Sequence, residues 1–239
     1  MTDDALKLLT TQILHQISRV SINEVFRLLT SEFPGEVTFS SSFSEEDQVI
    51  THHILENKFP ISIFTLDTGR LFAETYSTWN SVNEKYGVKI KAYYPDRNLL
   101  EQYINSKGPN AFYESVENRK ECCSIRKVEP LRRALAGNTV WVTGLRAEHS
   151  PERLHHELIE WDDANKIIKY NPLLHWTTAE VKDFISRNQV PYNILHDRGF
   201  VSIGCAPCTR AIRDGEDFRA GRWWWEESTK KECGLHTAN

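Results

Sequence analysis

Apolar and polar positions alternate along this chain in two periods, and the periods take turns. Residues 4–33 carry the 3.6-residue repeat of two amphipathic helices. Ser21-Ile22-Asn23-Glu24 reads as a capping box opening the second, whose apolar face continues through Val25, Phe26 and Leu29. From there strand and helix patterns alternate. Glu36–Ser41, Ile61–Leu66, Val88–Tyr93 and Thr139–Thr143 read as strands. Glu45–Asn57, Leu71–Tyr86, Asn98–Ser106 and Arg126–Ala136 read as helices. This β-α-β order predicts an α/β fold with a doubly wound, mainly parallel sheet, Rossmann-like in layout, followed by a loop-rich C-terminal segment. Such sheets take ligands beyond the carboxyl ends of their strands. The loops after Ser40, Leu66 and Thr143 are therefore the ones to inspect.

The pattern loosens after about residue 150. Thr177-Thr178-Ala179-Glu180 predicts one more capped helix, ending at Asn188. Beyond Pro191 there is little periodicity and many glycines, and the last 40 or so residues read as site-forming loops with a tail. We expect one domain over 1–239, with N-terminal helices in 1–35, a nucleotide-binding core in 36–190, and a cluster loop and catalytic C-terminal tail in 191–239.

Composition narrows the class. The chain has 239 residues and a formal net charge of −4, and its mean hydropathy is −0.50. That balance speaks against coating nucleic acid by bulk charge, and no apolar run approaches the roughly 18 residues of a membrane span. Met1-Thr2-Asp3-Asp4 lacks the layout of a signal peptide, so the expectation is a soluble, cytoplasmic protein.

Three loops at predicted strand ends carry anion-binding chemistry. Ser40-Ser41-Ser42-Phe43-Ser44-Glu45-Glu46-Asp47 offers hydroxyls and backbone N–H groups at a helix start. Leu66-Asp67-Thr68-Gly69-Arg70 offers a tight turn and a guanidinium, and Thr143-Gly144-Leu145-Arg146 with Arg153 repeats that theme. Each alone is an ordinary capped turn. Together they predict a nucleotide pocket across the sheet edge.

The five cysteines are Cys122-Cys123, Cys205-x-x-Cys208 and the lone Cys233. An odd number without an export signal argues against a disulfide framework. Two pairs bounding a long insert favour metal over buried free thiols. Zinc competes, because four thiolates suit it, but adjacent cysteines depart from zinc-knuckle spacing and all-thiolate ligation fits a [4Fe–4S] cluster. Cys233 lies among Lys230, Lys231, Gly234 and His236, a basic and approachable setting for a nucleophilic thiol. Upstream, Arg219 and Arg222 present two planar forks three residues apart, followed by Trp223-Trp224-Trp225, which cannot all face inward.

Taken together, Cys122-Cys123 with Arg126-Lys127, the Leu66–Arg70 turn, Ser202-Ile203-Gly204-Cys205-Ala206-Pro207-Cys208-Thr209, Arg219–Trp225 and Glu232–His236 resemble the assimilatory sulfonucleotide reductases. The likeness runs from Thr38 to His236, and the cysteine pairs resemble the iron–sulfur branch that reduces adenosine 5′-phosphosulfate. The resemblance implies that Cys233 attacks the sulfur, AMP leaves, and thioredoxin releases sulfite from the thiosulfonate. It implies Cys233, Lys127 and His236 as catalytic groups, and a [4Fe–4S] cluster on Cys122, Cys123, Cys205 and Cys208 that does not shuttle electrons. It implies a substrate pocket of Ser41, Ser42, Leu66, Gly144, Arg153, Arg219 and Arg222, to which the loop reading adds Arg70 and Arg146. One departure stands in the first loop, where Ser44 occupies a position at which the family often has glycine. Two rivals remain at this stage: an enzyme that takes the 3′-phosphorylated nucleotide, and a zinc-stabilised nucleotide-binding module without redox chemistry. A homo-oligomer is compatible with the sequence but not implied by it.

Overall fold

The computed structural model describes residues 2–17 and 20–226. Cys233 and His236 lie outside the described residues. Six strands, β1 (Val37–Ser40), β2 (Ser62–Leu66), β3 (Lys91–Tyr93), β4 (Val140–Val142), β5 (Ile159–Asp162) and β6 (Ile167–Tyr170), form one sheet in the order β3-β2-β1-β4-β6-β5. All neighbours run parallel except β5, which pairs antiparallel with β6 at the edge. The strand order reverses direction at β1, which is flanked by β2 and β4; Thr38 sits opposite Ser62 on one side and Trp141 on the other. That is the switch point at which a doubly wound sheet opens a crevice.

Eight α-helices accompany the strands among the described residues: α1 (Asp3–Ile17), α2 (Ile22–Glu32), α3 (Glu45–Glu56), α4 (Ala73–Tyr86), α5 (Arg97–Lys107), α6 (Val116–Cys123), α7 (Glu129–Leu135) and α8 (Thr178–Arg187). Both expected capping boxes are present, Ser21 with Glu24 on α2 and Thr177 with Glu180 on α8. The sheet buries both faces. Val37, Phe39, Val140, Val142 and Ile168 pack with residues of α1, α2, α3 and α8. Phe64, Trp141 and Ile167 pack on the opposite side against Leu131, Ala134 and Leu135 of α7. Two-sided burial explains why these short strands read as nearly continuous apolar runs. Each fully buried ring or branched side chain, such as Phe26, Phe39 or Ile168, contributes about 1.5–3 kcal/mol of transfer free energy.

The β5–β6 hairpin lies where the sequence pattern loosens. Its strands have four residues each, and only β6 is buried throughout. A second difference lies around the adjacent cysteines. The helix expected from Arg126 begins at Val116 as α6 and passes through a π-helical turn, Ser124–Val128, before α7. Such turns widen the helix locally and recur at functional sites. This one carries Arg126 and Lys127.

Candidate active site

A cavity of about 190 Å³ opens at the carboxyl ends of β1, β2 and β4. The β1 loop supplies Ser41, Ser42 and Asp47, the β2 strand end supplies Leu66, and the β4 loop supplies Gly144 and Arg153. Arg219 and Arg222 reach it from the C-terminal loops, and Lys127 from the π-helical turn.

The β1 loop is held by its own side chains. Asp47 accepts from Ser42 backbone N at 2.5 Å and from Ser42 Oγ at 2.7 Å, and Ser41 Oγ accepts from Phe43 N at 3.2 Å. Phe43 adopts a left-handed backbone (φ 62°), unusual for a bulky residue. Its ring is fully buried and stacks on Trp79, with centroids 5.6 Å apart, which offsets the strain. Ser44 has φ −72° and ψ 165°, an extended conformation open to any residue. The loop therefore tolerates serine where the family often has glycine. The glycine that does matter is Gly144: a methyl group there would overlap Asp47 Oδ1. The two loops touch through that missing side chain.

Two carboxylates sit among these cations. Burial raises the pKa of both Glu46 and Asp47, and the charge of Glu46 raises Asp47 further against the bonds from Ser42. The pair thus holds less negative charge than two exposed carboxylates, which lowers the cost of admitting an anion.

The four paired cysteines meet at a second, smaller cavity lined by Cys122, Cys123, Cys205 and Cys208. Cys122, Cys205 and Cys208 are buried and pack with Phe112, Tyr103 and Trp223. Burial and the neighbouring Cys205 push the Cys208 thiol up to about 12, with Lys127 and Arg222 pulling the other way. Cys122 is likewise raised by burial, opposed by Arg126. All four are free of disulfides. The loop that carries Cys205 is tied to the β2 loop: Cys205 Sγ donates to Thr68 Oγ1 at 3.2 Å, and Ala206 N donates to Arg70 O at 2.8 Å. Arg126 Nη1 donates to the same loop at Thr68 O, 2.6 Å away. Among the described residues no group of three or more His, Cys, Asp or Glu side chains is arranged to hold a single metal ion.

Lys127 and Cys205 line both cavities. They form the shared wall between the strand-end crevice and the cysteine site.

The structure redistributes the expected arginines. Arg70 leaves the strand-end cavity for the cysteine side, where it stacks over Phe112 (5.1 Å) and bonds Asn110 Oδ1. Arg146 is buried and turned into the fold: its guanidinium bonds Glu148 (2.9 Å), Trp176 O (3.0 Å) and Thr178 Oγ1 (3.0 Å). Neither lines the cavity expected for a nucleotide, because each has a protein acceptor nearer than that space. Arg222 does line it, lying so close over Gly204 that a Cβ there would meet the guanidinium at 2.5 Å.

Of the three tryptophans, Trp223 is fully buried and Trp224 is exposed. Arg119, Arg222 and Arg219 surround the Trp223 ring at 4.4, 4.9 and 5.9 Å. Asp47, His149 and Phe218, which also line the main cavity, were not singled out from sequence as site residues. Asp47 was visible there only as a continuation of the serine loop.

Comparison with known proteins agrees with this layout. Residues 36–211 match the family model described as the phosphoadenosine phosphosulfate reductase domain. The chain is 55% identical over 203 residues to an adenosine 5′-phosphosulfate reductase of Burkholderia cepacia, covering 84% of this chain and 80% of that one. It is 52% identical over 200 residues to the enzyme of that name from Allochromatium vinosum, covering 84% and 78%. Among solved structures, phosphoadenylyl-sulfate reductase from Candida auris, a phosphate complex, aligns with a TM-score of 0.69 at 28% identity, over 89% of this chain and 98% of that one. The FMN adenylyltransferase of Candida glabrata aligns at 0.53 and 19% identity, over 99% and 85%, and shares the fold alone. With the strand-end crevice, the paired cysteines beside it and these likenesses over most of its length, the chain belongs to the phosphoadenosine phosphosulfate reductase family.

Proposed function

We propose that this protein reduces adenosine 5′-phosphosulfate to sulfite and AMP in sulfate assimilation. The observation that carries the reading is the wall shared by Lys127 and Cys205, which sets an anion-binding cavity directly against a four-cysteine site. The names of relatives at 45–55% identity support the substrate.

In this reading Ser41, Ser42, Leu66 and Gly144 hold the nucleoside, while Lys127, Arg153, Arg219 and Arg222 hold the phosphosulfate. The Cys233 thiolate bonds to sulfur as the sulfur–oxygen bond to phosphate breaks, and AMP leaves with the electron pair. Positive groups around the sulfuryl oxygens stabilise the charge that develops, with His236 as a further donor. Thioredoxin then attacks Cys233 Sγ, sulfite leaves, and the reductant's second thiol closes its disulfide and returns Cys233 as thiolate. Four cysteines outside disulfides, together with thioredoxin chemistry, fit the cytoplasm. Among the described residues no helix is long and apolar enough to cross a membrane.

Cys122, Cys123, Cys205 and Cys208 would hold a [4Fe–4S] cluster, which when bound supplies a fixed electrostatic and structural centre beside the anion site. The donor set fits it: four thiols line one cavity, with Arg126 and Lys127 lining it as well to offset negative charge. Iron and acid-labile sulfide in the purified protein support this assignment, and zinc without sulfide overturns it.

The test of the reaction is mass spectrometry after incubation with adenosine 5′-phosphosulfate and no thioredoxin. A sulfonate adduct confined to Cys233 is expected. An unmodified Cys233 in a preparation that turns over once thioredoxin is supplied, or far higher kcat/KM with the 3′-phosphorylated nucleotide, overturns the reading.

A further inference from the structure

His149 sits on the β4 loop inside the main cavity, 5% exposed, with its ring stacked on Phe218 at 4.2 Å and 15°. Guanidinium groups face both ring nitrogens. Arg146 Nη2 lies 2.5 Å from Nε2, and Arg153 Nη1 lies 3.4 Å from Nδ1. Guanidinium nitrogens only donate, and a neutral imidazole has one lone pair to offer. The ring is neutral, since burial and the charges of Arg146, Arg153 and Arg219 push its pKa down to about 2.

Only one of the two contacts is therefore a hydrogen bond. Arg146 is fixed by Glu148, Trp176 O and Thr178, and its contact is the short one. Nε2 accepts from Arg146, and the proton sits on Nδ1. The Nδ1–H then faces the Arg153 guanidinium, itself a donor, 3.4 Å away on the wall of a cavity, and an acceptor oxygen placed beside both would give Nδ1–H a partner.

We infer that His149, as the Nδ1–H tautomer, binds an anionic oxygen of the nucleotide's phosphosulfate together with Arg153. Arg146 acts through His149 as its positioning residue. The inference rests on the proposed nucleotide chemistry and adds a residue to it. It also gives Arg146, which does not line the cavity, a part in binding: it fixes the tautomer of the ring that does.

The probes are ADP, whose diphosphate stands in for the phosphosulfate, and adenosine, which has no anion. Calorimetric titration of the full-length holoprotein should show both binding. His149→Leu should weaken ADP about tenfold or more, the scale of one charge-assisted hydrogen bond, and leave adenosine unchanged. His149→Gln should bind ADP nearly as the parent does, because its amide offers one acceptor to Arg146 and one donor to the anion. Equal losses for ADP and adenosine in the Leu variant, or no loss for ADP, overturn the inference and leave the nucleotide reading intact. A parent protein that binds neither probe overturns the nucleotide reading itself, and this inference with it. Nitrogen-15 NMR of the parent protein reads the tautomer without any substitution. An Nδ1–H ring whose Nδ1 resonance moves on adding ADP is expected, and an Nε2–H ring overturns the assignment.

Discussion

Arg119 and Glu226 form a two-pronged ion pair across 107 residues of sequence, Nε to Oε1 at 2.8 Å and Nη2 to Oε2 at 2.9 Å. Their side chains are 5% and 3% exposed. Arg119 lies on α6 one turn before Cys122 and Cys123, and Glu226 closes the segment that carries Arg219, Arg222 and Trp223. The pair thus clamps the C-terminal segment to the helix bearing half of the cysteine site. Removing one partner strands a buried charge, so Glu226→Gln should cost about 3 kcal/mol or more and lower Tm markedly. The paired replacement Arg119→Met with Glu226→Leu should recover most of that stability, yet bind nucleotide less well, because the apolar pair orients Arg222 less strictly. A double variant no more stable than the single one would show that the pair is not the cause.

Gly144 tests the contact between the β1 and β4 loops. A Cβ there overlaps Asp47 Oδ1 and comes within 3.0 Å of Glu46 Cγ. Gly144→Ala must push Asp47 off Ser42 N, and the serine loop loses its anchor. The expected result is a KM for adenosine 5′-phosphosulfate raised about tenfold, with overpacking costing about 1–3 kcal/mol of stability. Steady-state kinetics beside a thermal melt separate the two effects, and an unchanged KM would remove the loop contact from the account of binding.

The order of elements was legible because it depends on local rules. The capping boxes at Ser21 and Thr177, the apolar runs at β1, β2 and β4, and the cysteine spacing all declare themselves in a few adjacent residues. Pairing of β5 with β6 was not legible. Only four residues pair in each strand, and β5 alternates too weakly to mark a buried face. The site divided along the same line. Ser41, Ser42, Leu66, Gly144 and Arg153 meet at one cavity because each lies at or after a strand end, whereas Arg70 and Arg146 lie outside it, turned away by nearby acceptors, Asn110 and Glu148, that sequence does not show. His149 and Phe218 were missed because their significance lies in a ring stack between segments 69 residues apart.

Lys127 stands in the wall between the two cavities, and its charge opposes the rise of the Cys208 pKa. Replacing it with alanine should lower kcat/KM by about 100-fold, about 2.7 kcal/mol of transition-state stabilisation, while iron content and Tm stay near those of the parent. Parallel kinetics and iron analysis check this. Lost iron with an unaltered kcat in the remaining holoprotein would make the lysine a support for the cysteine site alone.

Buried histidines should pull stability down on mild acidification, against the raised carboxyls of Glu46 and Asp47, which take up protons in the folded chain and act in the opposite direction. Burial lowers His53 and His196 to about 4 and His149 to about 2, against an ordinary value of 6.5. Between about pH 4 and 6.5 the unfolded chain binds these protons and the folded chain does not. Their contribution is therefore fully present above pH 6.5 and is lost as pH falls, with a limiting slope of about 1.4 kcal/mol per pH unit for each ring. His53 lies away from both cavities, stacked on Phe184 at 5.0 Å and bonded to Asn23 Oδ1 at 2.9 Å. His53→Phe keeps the stack but loses that bond, so at pH 7 the variant should be less stable by about 1 kcal/mol. Its stability should then fall less steeply with acid, and the gap to the parent should close between pH 6 and pH 5. Urea unfolding at pH 7, 6 and 5 measures both slopes, and parallel slopes would show that His53 binds its proton equally in the folded and unfolded chain.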